Sequence, residues 1–549
     1  MSTIAITLLI ISIVSALGWA VGSIKYRNIS LGVSGVLFSG LIIGHFLNAN
    51  DISIDREIFE FIRDFGLILF VYSIGMQMGR GFWASLIRHG KMLNSLSFLS
   101  VLFSAGLIII LYKVTDIPLD ALVGIYSGAV TNTPTLGAGQ QMLESYYQSG
   151  VDVAGLGYAV TYPFGVVGVM LVIIVLKWLL KITLKDEVSS YELSRATDSE
   201  KIVEIELEIT NPYCNDLALG AIPGMFKQGV VTTLIDRGED EFVPNLKTKV
   251  FTGDILHLVG PEVHLKEMKI VLGGGNVSLS AVHNHNKNVT TEKILVTNYK
   301  ILGKTIHEAF DEPESQIIIS RIKRNGHEVP AEPETKLCFG DILTVTGKSA
   351  DILSVVQLVG NDPIAMDKIR LAPLFIGIAI GILFGAIPFA IPGLSLPVKL
   401  GIAGGPLLLS IYFAGLGNAG PLIWYIPPSA NNLLRELGIT LFLAVVGVIA
   451  GTHFLETLLI GDGLTWVFYG ALITGLPILL TGIIARLVFK INFLTISGTL
   501  CAAMTNPTAL AFSTAISSSE APIVAYITAY PLTVVLRIIS IQIIFLLLI

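Results

Sequence analysis

Two sets of near-continuous apolar runs, each about the length of a bilayer-crossing helix, constrain this chain more than any other feature. A helix needs about 20 residues to cross roughly 30 Å of hydrocarbon. Runs of that order fall at about 4–22, 30–47, 64–80, 92–112 and 155–180, and again at about 371–391, 396–416, 435–452, 464–488 and 522–549. Only 14% of the residues are charged, against about 25% in soluble domains, so much of the chain is read as never meeting water. The first run, Ile4 to Val21, has no basic segment before it and reads as a first span rather than a signal peptide. Each set also holds one oddity. Segments 119–145 and 492–516 are apolar enough for a membrane but are broken by polar residues and proline.

Between the sets, from about Lys185 to Lys368, the sequence is charged, with short alternating strands at Ile202–Ile209, Gln316–Ile322 and Asp341–Val345 and turn signals such as Arg324-Asn325-Gly326. This insert repeats itself. Gly253-Asp254-Ile255-Leu256-His257-Leu258-Val259-Gly260 is matched by Gly340-Asp341-Ile342-Leu343-Thr344-Val345-Thr346-Gly347, and a Val-Pro precedes each match, at Val243-Pro244 and Val329-Pro330. Two α+β lobes are expected, at 200–275 and 286–362, with their Gly-Asp pairs in tight turns. The linker from Gly273 to Asn288 carries His283 and His285, expected to be solvated. The membrane halves are then 1–185 and 368–549.

The halves also repeat each other. Arg63-Asp64-Phe65-Gly66-Leu67-Ile68-Leu69-Phe70 aligns with Arg435-Glu436-Leu437-Gly438-Ile439-Thr440-Leu441-Phe442. Gly75 and Gly79 match Gly447 and Gly451, Thr131-Asn132 matches Thr505-Asn506, and Tyr162-Pro163 matches Tyr530-Pro531. Basic residues follow alternate spans: Lys25 and Arg27, then Arg80, Arg88 and Lys91, then Lys177, Lys181 and Lys185. With those loops inside, the N-terminus lies outside and the insert is cytoplasmic. That count requires five spans and a re-entrant 119–145 segment. The fold class expected is an all-α polytopic membrane protein of two inverted repeats, each of about five spans plus one broken or re-entrant segment, interrupted by a cytoplasmic α+β double insert. Inverted repeats with broken helices at matching places are characteristic of secondary transporters.

The broken segments are where chemistry is expected. Thr131, Asn132, Thr133, Pro134 and Thr135 in the first half, and Thr505, Asn506, Pro507 and Thr508 in the second, would offer hydroxyls, amides, free carbonyls and a half-helix N-terminus. Such an N-terminus carries partial positive charge and suits a carboxylate. The bland alternative is a proline kink satisfied by Thr and Asn, with no ligand. Arg537 sits inside the last apolar run and is a candidate countercharge for a substrate, since intramembrane arginine is costly and usually functional; otherwise it snorkels or pairs with an internal acid. Arg63, Asp64, Arg435 and Glu436 open matching spans and are read as capping or ion-pair residues. Gln77, Gln140 and Gln141 are read as cavity-lining or helix-packing groups, and the two Tyr-Pro pairs as kinks.

Other functions are disfavoured. The three cysteines, Cys214, Cys338 and Cys501, are far apart and form no metal or disulfide pattern. A net charge of −6 with no basic stripe argues against nucleic acid. There is no Walker motif, no dinucleotide-binding fingerprint and no readable nucleophile–base pair, so neither an ATP-driven pump nor an enzyme is expected, and no cofactor or metal.

The order of membrane half, two soluble repeats and membrane half resembles the aspartate–alanine exchanger (AAE) family of bacterial transporters. Phe65 to Gly75, Gly128 to Gln140 and Pro427-Pro428-Ser429-Ala430 followed by Arg435 to Phe442 are similar to its YidE-type branch, and the soluble repeats are similar to RCK_C (TrkA-C) domains. The resemblance implies a multi-pass bacterial inner-membrane protein, a homodimer, and elevator-like movement of one domain against a scaffold. The function expected is antiport or symport of a small anionic or zwitterionic substrate, a carboxylate or amino acid, with membrane lipid around it and a small regulatory ligand on the lobes. The rival is a cation (potassium, or sodium and proton) transporter gated by those lobes, although no carbonyl filter and no mid-span acid is visible. A third reading is a sensor that scaffolds partners without transporting anything.

Overall fold

The computed structural model describes residues 2–549 apart from 27–28, 31, 53, 85–89, 199–201, 224, 226–229, 239, 246, 274–288, 311–316, 325–326, 332, 390–397, 420–421, 453, 455, 457–460 and 517–518. The turn at Asn325-Gly326 and the linker histidines His283 and His285 therefore lie outside the described residues. The chain forms two compact units. One comprises Met1–Ser194, Leu371–Leu416 and Pro428–Ile549; the other comprises Arg195–Arg370 and Gly417–Pro427.

The first half begins with α1 (Thr3–Gly22), capped by the Ser2 hydroxyl. A short hairpin of β1 (Lys25–Tyr26) and β2 (Ile29–Ser30) follows, then α2 (Ser34–Ala49) and α3 (Arg56–Ala84). Helix α3 starts well before its apolar run because its polar first turns are held. Arg56 pairs with Glu60 at 3.0 Å and with Asp152 at 2.9 Å. Next come α4 (Lys91–Val114), α5 (Leu119–Ala129), α6 (Thr133–Tyr147), α7 (Val151–Leu179) and α8 (Leu184–Asp198). Helix α5 runs parallel to α7, with Asp120 beside Gly150, Gly124 on Ala154 and Gly128 on Tyr158. Helix α6 returns along both, with Gly139 on Val123 and the Gln140 amide donating to the Val151 carbonyl. The broken segment is therefore a re-entrant hairpin. Its base lies where α7 begins, and its tip is at Thr131-Asn132.

The insert unit holds two lobes of one design. The first has β3 (Ile202–Glu208), β4 (Leu217–Ala218), β5 (Val231–Arg237), β6 (Asp240–Phe242), β7 (Lys249–Val250), β8 (Ile255–Pro261) and α9 (Glu262–Leu272). The second has β9 (Val289–Leu295), α10 (Ile306–Phe310), β10 (Ile317–Arg324), β11 (His327–Pro330), β12 (Ile342–Lys348) and α11 (Ser349–Val359), followed by α12 (Pro363–Asp367). The four-stranded sheets are ordered β3-β8-β5-β6 and β9-β12-β10-β11, the same order twice. Gly253 and Gly340 adopt positive φ, as the expected turns require. The aspartate after each does more than turn the chain. Arg237 holds Asp254 through two nitrogens at 2.9 and 2.8 Å and also donates to the Lys249 carbonyl. Arg324 does the same to Asp341 and the Lys336 carbonyl. These buried carboxylates keep each guanidinium protonated beyond its usual range through the hydrogen bonds they accept.

The second half has α13 (Leu371–Ala386), the hairpin β13 (Pro388–Phe389) with β14 (Val398–Lys399), and α14 (Gly401–Leu416). A further hairpin, β15 (Asn418–Ala419) with β16 (Leu422–Ile423), precedes α15 (Pro428–Gly451), α16 (Gly463–Leu487), α17 (Phe493–Ala503), α18 (Pro507–Ala515) and α19 (Ala521–Leu548). One expectation changes here. Residues 417–427 group with the insert rather than with the second membrane half: Ile423 and Tyr425 join the core of the second lobe, and Tyr425 packs on Phe339.

Seven helical stretches among the described residues are long and apolar enough to cross a membrane. They correspond to α1, α4, α7, α13 (with α12), α15, α16 and α19. Helices α2 and α14 are shorter, and α3 carries charges in its first turns. Helices α1–α7 and α13–α19 follow the same series, and their mates pack in the same pattern. Gly40 and Gly44 of α2 meet Gly447 and Gly451 of α15, while Gly75 and Gly79 of α3 meet Ser410, Ile411 and Ala414 of α14. Small residues four apart let helix backbones approach this closely. Mates run in opposite directions. Along α3 and α15, Ser73 faces Asn431, Phe70 faces Gly438 and Gly66 faces Phe442.

Candidate functional site

Helices α17 and α18 make a second hairpin: the Ser513 hydroxyl donates to Ser497 across it, and Gly498 packs on Pro522 at the start of α19. Its base is fixed at the end of α7. Glu187 of α8 accepts from the Phe493 amide at 2.7 Å and from Arg486 at 2.5 Å, and its carbonyl accepts from Asn492 at 2.7 Å. The first hairpin has its base where α7 starts. The two hairpins thus enter from opposite ends of the helical unit. The end where α7 gives way to α8 is the linker face.

Their tips meet. Each turns through a threonine in the left-handed region, Thr131 at φ 50° and Thr505 at φ 48°, a conformation that a β-branched residue rarely adopts. Each then caps the returning helix with an asparagine. Asn132 Oδ1 accepts from the Thr135 amide at 2.9 Å and hydroxyl at 2.7 Å, and Asn506 Oδ1 accepts from the Ala509 amide at 2.9 Å. Pro134 and Pro507 occupy the first turn, where a missing N–H costs nothing. The prolines therefore start helices here rather than kink them. The tips are stitched to each other. The Thr131 hydroxyl donates to the Met504 carbonyl at 2.6 Å, the Thr505 hydroxyl donates to the Val130 carbonyl at 3.1 Å, and Asn132 Nδ2 donates to Thr505 Oγ1 at 3.3 Å. Asn506 Nδ2 reaches the Gly165 and Val166 carbonyls of α7, and Thr133 pairs with Tyr158.

Arg537 lies beside this crossing and is fully buried. Its guanidinium donates twice to the Ala503 carbonyl, at 2.8 and 3.2 Å, and to the Tyr126 hydroxyl at 3.0 Å. Ala503 ends α17, so the cation rests against the negative end of a helix dipole. In this conformation Arg537 braces the second tip, while also raising the local positive potential. No Asp or Glu side chain is among these partners. The site can attract an anion through the positive N-terminal ends of α6 and α18 and the buried arginine. It is reached unequally: Asn132 and Thr133 are buried, Pro507 is exposed and Thr508 half-buried.

The other candidates fall away from the tips. Arg63 is buried and donates to Asp64 at 2.9 Å and to Glu144 of α6 at 3.0 Å. Together with Gln140 and Gln141, these residues line a cavity of about 250 Å³ between α3, α6, α14 and α15. Arg435 donates to Gln77 at 3.2 Å and lies 4.0 Å from Glu436. Sequence reasoning missed Tyr126, Tyr158 and Glu144. Only Tyr126 carried a usable signal, as a polar group five residues before a broken tip.

Comparison with known proteins agrees with this architecture. The family model described as "Predicted Permease Membrane Region" matches residues 10–178 and 373–546, together more than half of the chain, and the TrkA-C domain model matches 292–360. A protein of Histophilus somni, named "Putative transport protein", is 43% identical over all of this chain and 99% of its own length. Similarly named proteins of Pasteurella multocida, 43% identical over all of this chain and 99% of their own length, and of Photobacterium profundum, 42% identical over the whole of both chains, also align. No solved structure matches. With its permease region on either side of a TrkA-C-bearing insert, the chain belongs to the aspartate–alanine exchanger family of membrane transport proteins.

Proposed function

We propose that this protein is a secondary active transporter, an exchanger or symporter, that carries a small carboxylate or amino acid across the bacterial inner membrane by alternating access. The observation that carries this reading is the meeting of two re-entrant tips from opposite faces, each presenting a helix N-terminus and an asparagine cap, with a buried arginine that has no acid among its partners in the described residues. Substrate binds at Thr131, Asn132, Thr133, Pro134 and Thr135 and at Thr505, Asn506, Pro507 and Thr508, with Arg537 supplying positive potential. The inverted repeat makes the two access states equivalent in construction, and the hairpin-bearing helices move elevator-like against α1–α3 and α13–α15. The N-terminus is periplasmic, the insert is cytoplasmic, and the protein is a homodimer whose lobes regulate flux by binding a small ligand. The cation reading is weaker, since the tips offer no carboxylate.

Proteoliposome counterflow with a panel of radiolabelled amino acids and dicarboxylates tests this. Exchange of at least one compound is expected in the wild type. Removing one capping bond leaves an orphaned donor and loosens the tip, at a cost of about 1 kcal/mol or more per cap, so Asn132→Ala and Asn506→Ala should each slow exchange about tenfold while remaining folded. Absence of flux for every compound tested, with or without nucleotides, would remove the transport reading.

A further inference from the structure

The two hairpins are built alike and packed differently. From Thr133 to Leu143, α6 is buried except at half-buried Gln141, whereas in α18 only Ala509 and Ser513 are buried, and Pro507, Ala511 and Ala515 are exposed. Helix α6 packs on α14; among the described residues, α18 touches β2, but its packing on α2, the mate of α14, is at most marginal. The charges follow the same division. Arg63 is 3% exposed and ties α3 to α6 through Glu144, whose own side chain is 44% exposed, and among the described residues the Arg63 Nη1 has no partner. Its mate Arg435 is 35% exposed, donates to Gln77 of α3 and lies 4.0 Å from Glu436 of its own helix. Part of this difference is written in the sequence, since Glu144 of the first hairpin has Ser518 as its counterpart in the second, but the difference in burial runs the length of the two helices. It is what one closed and one open passage would give.

We propose that the Arg63–Glu144 pair is a gate: it closes the first hairpin on the face away from the linker while the second hairpin stands open on the linker face. The structure is then one of two access states. Breaking the pair shifts the population toward the other, in which α6 is uncovered and α18 is covered. This rests on the alternating-access reading for its biological meaning, but its test needs no substrate.

The test uses the full chain with Cys214, Cys338 and Cys501 replaced by serine, and a single cysteine at Ala138 of α6 or Ala511 of α18. Sealed vesicles of each orientation are treated with a membrane-impermeant maleimide. Ala511→Cys is expected to react from the linker face and Ala138→Cys to be protected. Adding the near-isosteric Glu144→Gln should raise the Ala138→Cys rate from the opposite face about tenfold, within the usual range of such couplings, and slow Ala511→Cys. A disulfide between Leu67→Cys and Gly137→Cys, which face each other across α3 and α6, should restore protection of the Glu144→Gln chain when oxidised, with a third, single cysteine read out by a label added after oxidation. Equal labelling of Ala138→Cys and Ala511→Cys without the gate mutation, or no change on Glu144→Gln, would overturn the gate. A shift in accessibility without flux of any compound would instead sink the transport reading and leave the gate standing.

Discussion

Replacing Arg537 with leucine is expected to abolish exchange and to lower the stability of the helical unit by about 3 kcal/mol, the sum of its charge-assisted hydrogen bonds less the desolvation recovered. The loss follows from geometry. Without the guanidinium, the Ala503 carbonyl at the end of α17 is buried with no donor, and the Tyr126 hydroxyl keeps only Ser540. The tip at Thr505 then loses the brace that holds its left-handed turn against the first hairpin. Arg537→Lys keeps the charge but not the fork, since one ammonium cannot reach the carbonyl with two donors and the tyrosine with a third. It should recover part of the stability and a measurable fraction of flux. Denaturation in mixed micelles, followed alongside counterflow, separates the two effects. An Arg537→Leu chain as stable as wild type but devoid of flux would mean that the arginine serves substrate alone and braces nothing.

Gly447→Leu should be more damaging to assembly. A side chain there points into the Leu37 carbonyl and the backbone of Gly40, so α2 and α15 cannot keep their separation. Overpacking at a backbone contact is expected to cost about 3 kcal/mol or more, and little folded protein should survive extraction. Gly106→Leu on α4 is the control, because nothing lies within 4 Å of a Cβ at that position, and it should be neutral. Equal yields of the two variants, judged by monodisperse elution from detergent, would contradict the close α2–α15 packing.

Much of this was legible in the sequence because membranes impose length and periodicity. The apolar runs located the helices, and the doubled Thr-Asn located the tips. Repeat matching at Arg63 and Arg435 located the pair of mates that face each other at Gly66 and Gly438. What stayed hidden depends on contacts that no local pattern encodes. Nothing in residues 417–427 marks them as part of the second lobe, because Ile423 and Tyr425 look like any apolar residues until Phe339 is beside them. The Gly-Asp turns were visible, but their arginine partners were not, although Arg237 and Arg324 each stand 17 residues before the aspartate they hold. Arg537 was visible as an anomaly, but its partner is a backbone carbonyl, which every residue has. The difference in burial between α6 and α18 could only be seen in the structure, although Ser518 already stands in the second hairpin where the first has Glu144.

Transport as proposed here depends on two hairpins that enter from opposite faces and meet at their tips. The direct measurement is two-sided labelling of single cysteines at Asp120 and Gln148, which flank the first hairpin, and at Lys490 and Glu520, which flank the second. Asp120 and Gln148 should both react from one face, and Lys490 and Glu520 both from the other. Reaction of Asp120 and Gln148 from opposite faces, or of all four from the same face, would contradict it.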